Sequence, residues 1–269
     1  MSRRLIVIAV AALCLVAVIG PSIAQNAKPW QKPGTKAGEE IIGPDGGKMV
    51  WVPAGEFMMG SPPGEGDGDE HPAHLVRITR GFWLGKCEVT NAQYRAFCGA
   101  TRRAFPTLSG NAPDHPVVFV NWRDAKAYCG HYGLALPTEA QWEYGARGPH
   151  ALRYPWGNDW DPKKCCNADN KGPGDIGTMA VGSLAAGSSW CGARDMAGNV
   201  WEWCADWYDA GYYANSPNTD PQGPAKGKYR LVLGGSWSGS LLNCRSATRD
   251  WSDPDIRYVS VGFRCAKIP

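Results

Sequence analysis

Cysteine has the widest chemical reach in this chain. Ten cysteines occur, and nine lie beyond residue 24: Cys87, Cys98, Cys129, Cys165, Cys166, Cys191, Cys204, Cys244 and Cys265. A thiolate can attack carbon or sulfur, bind a soft metal, or end as a disulfide. No C-x-x-C occurs, so the spacing supports neither a thioredoxin-like dithiol nor a zinc ribbon. Cys165 and Cys166 are vicinal, and their thiols are expected to turn to different partners. Nine is odd, so at least one thiol is expected to be free or paired between chains. The histidines are His71, His74, His115, His131 and His150, and no H-E-x-x-H zinc motif is among them. His71 and His74, in an acidic, proline-containing loop, are expected at the surface or a strand edge rather than as ligands. There is no G-x-S-x-G elbow and no glycine loop of phosphate-binding form.

The compartment decides what the cysteines do. Arg3 and Arg4 precede an uncharged apolar run, Leu5 to Ile19, then Pro21 and Ser22-Ile23-Ala24. This order predicts a secretory signal over residues 1–24, cleaved after Ala24 to leave 269 − 24 = 245 residues. The run is shorter than the roughly 20 residues a spanning helix needs, so no membrane span is expected after cleavage. Cys14 lacks small residues before it, so no lipid anchor is expected. The expected location is secreted or periplasmic, where cysteines are disulfide candidates first. Without Arg3 and Arg4 there are 26 basic and 25 acidic residues, scattered along the chain, which gives no ground for a nucleic-acid partner. Gly (34), Pro (21) and Trp (13) are all abundant, the composition of a loop-rich domain pinned by aromatic side chains.

The elements that position these residues are short. Residues 25–47, rich in Gly, Pro and Lys, read as a flexible leader, and 48–269 as one domain. Met49–Val52 and Glu56–Met59 predict strands, the acidic stretch Gly60–Pro72 an exposed loop, and His74–Cys87 further strands. Helix starts are marked by Thr90…Gln93, Asn121…Asp124 and Thr138…Gln141, each a cap residue with an amide or acid three places on. Arg147 to Gly192 has little periodicity and many turns, which calls for metal or disulfides as a source of order. Arg230–Leu233 and Val261–Cys265 predict strands.

The strings MVWVPAGEFMMGS, VTNAQYRAF, VNWRDAKAYCG, LPTEAQWEYGARG, YPWGN, DMAGNVWEW, VLGGSW, CRSATR and VGFRC follow one another in this order. Together they resemble the formylglycine-generating-enzyme (sulfatase-modifying factor) family, from Met49 to Ile268. The resemblance implies an α+β fold of formylglycine-generating-enzyme type, with C-type-lectin-like topology, little regular secondary structure and bound structural calcium. Most of the tryptophans in these strings (Trp51, Trp122, Trp142, Trp156, Trp201 and Trp203) are expected in the core rather than at a ligand.

For calcium, the resemblance points to Asn199 and Glu202 by side chain, with the carbonyls of Gly198 and Val200. It points to a second site at Asn167 and Asp175, with the carbonyls of Ala168 and Gly177, where the spacing is shorter than in the enzyme. Several oxygens of this kind are what a hard cation requires. The enzyme's two redox cysteines, whose soft thiolates bind Cu(I), fall between the GGS turn and the next arginine-bearing strand. Here Gly234 to Cys244 is several residues shorter and holds one cysteine, at its end. That position matches a structural cysteine of the family whose usual partner corresponds to Ala146. Copper is therefore not expected, and the formylglycine reaction is doubtful. Cys129 and Cys265 match a family disulfide.

Three functions follow from the resemblance. The first is an exported member that matures or modifies a periplasmic or secreted protein or metabolite without copper-cysteine chemistry, as relatives in siderophore maturation and nitrite-reductase accessory roles do. The second is a C-type-lectin-like binding module, since retroelement-diversified variable proteins share the GGSW…RSA…R…GFR ending. Its ligand face would comprise Ser238, Ser240, Asn243, Trp251, Asp253, Arg257 and Tyr258. The third is an active formylglycine generator with rearranged cysteines. The expected partner is a protein or small-molecule substrate in the exported compartment, and the expected state is a monomer.

Overall fold

The computed structural model describes residues 27–109 and 112–269; the expected signal, residues 1–24, lies outside the described residues. All three helix starts form the expected reciprocal caps. Helix α1 (Asn91–Thr101) begins at Thr90, whose hydroxyl accepts from the Gln93 N–H at 3.2 Å while Gln93 accepts from the Thr90 N–H at 2.9 Å. Helices α2 (Trp122–His131) and α3 (Glu139–Arg147) begin the same way at Asn121 and Thr138. Each cap contributes about 1 kcal/mol. These helices are only nine to eleven residues long, so packing must hold them.

They pack against short strands. β1 (Glu40–Ile42), β2 (Lys48–Val52), β5 (Phe82–Gly85) and β10 (Ala266–Lys267) form an antiparallel sheet in the order β1-β2-β5-β10. β3 (Gly55–Met59) and β4 (His74–Ile78) form a hairpin-like pair. β6 (Trp201–Trp207), β7 (Arg230–Leu233), β8 (Arg249–Ser252) and β9 (Val261–Gly262) form a second sheet in the order β8-β7-β6-β9, with β9 parallel to β6. Part of the stretch expected as a flexible leader thus belongs to the fold. Glu40–Ile42 pairs with β2, and the Trp83 indole donates to the Lys32 carbonyl at 2.9 Å. Backbone pairing, which polar side chains do not prevent, overrides the leader's low apolar content.

One core layer gathers Trp51, Trp83, Tyr94, Phe97, Tyr128 and Phe263 under α1 and α2. The other gathers Phe57, Phe82, Trp142, Leu231 and Leu233 under α3. Trp51, Trp122, Trp142, Trp201 and Trp203 are buried as expected, whereas Trp156 is half-buried over a small third cluster. Among the described residues no helix is long and apolar enough to cross a membrane.

The acidic loop from Gly60 to Pro72 is only partly exposed. Glu70 is fully buried, and Arg245 grips its two oxygens at 2.7 Å each. Arg249, one turn of sequence later, grips Glu139 of α3 at 2.6 Å and the Asp69 carbonyl at 2.7 Å. The arginines of the CRSATR string therefore fasten the loop and a helix to β8.

Candidate functional site

β7 ends at Leu233, and Gly234 (φ 97°) and Gly235 (φ 78°) turn the chain into the expected ligand loop. A Cβ on Gly235 would lie 2.8 Å from the Asn243 carbonyl, so glycine is required there. Within the loop the Gly239 N–H donates to the Ser236 carbonyl at 2.9 Å, and Asn243 Oδ1 accepts from the Ser240 N–H at 3.1 Å. Trp237 anchors it from inside, donating its N–H to the Asn199 carbonyl and its indole to the Val259 carbonyl. Ser238 and Ser240 are exposed, and Leu241 and Leu242 stand out at 39% and 59% exposure. Cys244 closes the loop and is completely buried.

The remaining expected ligand residues follow from β8. Trp251 is 44% exposed and lies against Tyr229 (ring centroids 4.2 Å apart) and Tyr208 (5.8 Å). Asp253 is half-buried and accepts from the Asp255 N–H, while Tyr258 is exposed. Arg257 donates to Asp124 of α2 at 2.7 and 3.0 Å, an ion pair that holds its guanidinium to the helix start. Ser238, Ser240 and Asn243 thus share one loop, whereas Trp251 to Tyr258 lean on β7 and α2.

The side chains expected to bind calcium are placed differently. Glu202 accepts from Arg264 on both oxygens, each at 2.6 Å, and from the Trp142 indole at 2.8 Å. Asn199, at φ 61°, accepts from the Met179 N–H at 3.0 Å and donates to Glu88 at 3.0 Å. Both are spent on the fold, because a buried carboxylate or amide must be satisfied by nearby groups. Gly198, at φ 78°, sits so close to the Cys166 carbonyl that a Cβ would approach to 2.1 Å. At the second expected site, Asn167 donates to the Pro162 and Cys165 carbonyls and to Cys165 Sγ, and accepts from the Asp169 N–H. The Ala168 N–H donates to the Gly239 carbonyl, the Gly177 carbonyl accepts from the Gly172 N–H, and Asp175 is exposed.

Sequence reasoning missed two acids. Glu88 is buried with one oxygen, Oε2, lacking any donor, and Asp195 lies near enough for the two acids to repel each other. Burial, then repulsion from Asp195 and Glu202, pushes the Glu88 carboxyl well up, and burial raises Asp195 too. Arg264 is the fully buried cation among these acids. Among the described residues no three acid, histidine or cysteine side chains form a ready metal cluster. The pair with an open oxygen, Glu88 and Asp195, fits a hard cation better than Asn199 and Glu202 do. The signal for Glu88 was an acid wedged between an apolar strand and the Thr90 cap; Asp195 opened a string that was read from its glycine onward.

Glu88 also lines a cavity of about 460 Å³, together with Asp45, Lys86, Cys87, Gln93 and Arg194. Burial pushes the Cys87 thiol up to about 12, so it is a poor nucleophile near neutral pH. Cys129 and Cys265, the expected disulfide partners, are buried with their sulfurs 3.3 Å apart. Cys244 meets Cys165 rather than the Ala146 position, and Cys166 turns away to the Gly177 carbonyl at 3.2 Å.

Comparison with known proteins agrees with this architecture. Residues 39–268 match the family model for the sulfatase-modifying factor enzyme 1-like domain. The formylglycine-generating enzyme of Streptomyces coelicolor is 35% identical, the alignment covering 93% of this chain and 96% of that protein. Hercynine oxygenase of Mycolicibacterium thermoresistibile is 31% identical over 74% of this chain and 53% of its own length. Among solved structures, PvdO from Pseudomonas aeruginosa superposes with a TM-score of 0.76 at 28% identity, covering 88% of this chain and all of that one. The fold is therefore α+β of formylglycine-generating-enzyme type, and the chain belongs to the sulfatase-modifying-factor family.

Proposed function

We propose that this protein is an exported family member that acts on a protein or small-molecule substrate without the two-cysteine copper reaction. The observation that carries this reading is the loop from Ser236 to Cys244. Its one cysteine is fully buried at its base, and its exposed positions carry hydroxyls and leucines instead of thiols. Hydroxyl oxygens are poor ligands for Cu(I), which selects thiolates. Hercynine oxygenase, by its name, acts on a small molecule, so the family scaffold is compatible with substrates other than sulfatases. Structural calcium, if bound, would be held by Glu88 and Asp195 with neighbouring carbonyls, where it would neutralise buried acids. The protein is secreted or periplasmic in this reading, and monomeric.

The decisive experiment is incubation with a peptide carrying the C-x-P-x-R sulfatase motif, Cu(I) and oxygen, followed by mass spectrometry. An unchanged peptide cysteine is the expected result. Conversion of that cysteine to an aldehyde would overturn the reading and restore formylglycine generation.

A second reading, a ligand-binding module, is favoured by one observation. Trp251 presents nearly half its surface while resting on Tyr229, the kind of rigid aromatic surface that binding sites use. Binding without turnover of every oxidisable substrate offered would favour this alternative.

A further inference from the structure

Two cysteines that the family resemblance does not pair with each other are brought together at the base of the loop. Cys165 and Cys244 are 79 positions apart and are 2% and 0% exposed. They pack together in one small buried cluster with Ala197, and Trp156 and Trp160 lie over it. The Asn167 amide donates to Cys165 Sγ at 3.2 Å. This is the one thiol of the group in position to be stabilised as a thiolate. The neighbouring thiol is excluded, since Cys166 donates to the Gly177 carbonyl on the other side of the chain.

We propose that Cys165 and Cys244 form a disulfide that fastens the base of the 236–244 loop to the 165–167 segment. Next to that segment, the Ala168 N–H donates to the Gly239 carbonyl of the loop at 3.0 Å, a backbone bond that the disulfide would reinforce. The contact between the thiols, followed by the Asn167 amide, lowers the Cys165 thiol, while the same contact and burial raise Cys244. Cys165 is thus the attacking sulfur. Its thiolate attacks one sulfur of an incoming disulfide, such as oxidised glutathione or a thiol–disulfide exchange protein, and expels the other sulfur as a thiolate. Cys244, deprotonated, then attacks the Cys165 sulfur of the mixed disulfide and expels the second. The two protein thiols lose two electrons and two protons, and the incoming disulfide becomes two thiols. The exchange takes place during folding, before Trp156 and Trp160 cover the sulfurs. The inference stands on the placement of the sulfurs and not on how the loop is used.

The test is to refold the purified full chain with oxidised glutathione, alkylate the remaining thiols under denaturing conditions, and map peptides without reduction. A peptide pair joining Cys165 to Cys244 is expected, with Cys166 alkylated and the same pair retained in C166S. Chymotrypsin should cut after Leu241 or Leu242 at least tenfold more slowly in the oxidised protein than in the reduced one, and C244S should lose that difference. Recovery of Cys165 and Cys244 both alkylated, or of Cys166 joined to Cys244, overturns the proposal even if C244S does not fold.

Discussion

The Glu70–Arg245 pair gives the sharpest test of how the loops are held. Glu70 is fully buried and Arg245 is 4% exposed by side chain. The guanidinium meets both carboxylate oxygens at 2.7 Å, and the Ser61 hydroxyl donates to Oε2. Burial alone would raise the Glu70 carboxyl, but Arg245 and Ser61 outweigh it and hold it below its ordinary value. Removing either partner strands the other in the interior, which costs about 3–5 kcal/mol. At about 2–4 °C per kcal/mol for a domain of this size, E70Q and R245M should each melt roughly 10 °C lower than the wild type. The double variant E70M/R245M should lose less than the sum of the two, because neither charge is left unpaired. The pH dependence has a fixed sign. A depressed folded-state carboxyl contributes stability that is fully present above the unfolded value, about 4.3, and lost as pH falls through the folded value. The gap between wild type and E70Q should therefore close below about pH 4. Thermal melts of the four proteins across pH decide the matter. Single variants within about 3 °C of wild type, or strictly additive losses, would refute the claim that this pair is a buried, mutually dependent anchor.

Two further predictions use other parts of the scaffold. Calcium at a hundred times its dissociation constant should stabilise the protein by about 2.7 kcal/mol; E88Q and D195N should abolish the melting shift, and a shift retained by both would place the ion elsewhere. G198A should cost at least about 3 kcal/mol, since it adds strain at φ 78° and drives a methyl onto the Cys166 carbonyl; an unchanged urea midpoint would show that the turn relaxes freely.

What was legible in the sequence is what local chemistry determines. Thr90, Asn121 and Thr138 announced their helices because a cap and its partner lie three residues apart and need no knowledge of the rest of the chain. The family strings placed the fold and the shortened loop. Long-range pairing was not legible. β1 is only three residues long and β8 carries Arg249, Asp250 and Ser252; both exist because a partner strand is presented to them. The surroundings of Glu202 were not legible for the same reason. An acid in a G-N-x-W-E turn offers oxygens that suit calcium, but whether they are free depends on Arg264, 62 residues away, which takes both of them.

The same long-range contacts give the arginines of the two closing strings their role. Arg245, Arg249 and Arg264 are buried and each grips a buried glutamate, Glu70, Glu139 and Glu202 respectively, with Asp69 a second, longer partner of Arg249. Each glutamate comes from a different part of the chain: the acidic loop, the start of α3, and β6. A loop-rich domain has little sheet to fix its geometry, so directional, bidentate pairs do that work instead. In this fold they bracket the 236–244 loop, with Arg245 and Arg249 just after it and Glu202 on the strand beside β7. The loop can therefore change length and content without disturbing the anchors on either side. That separation leaves the scaffold pairs intact whatever the 236–244 loop carries.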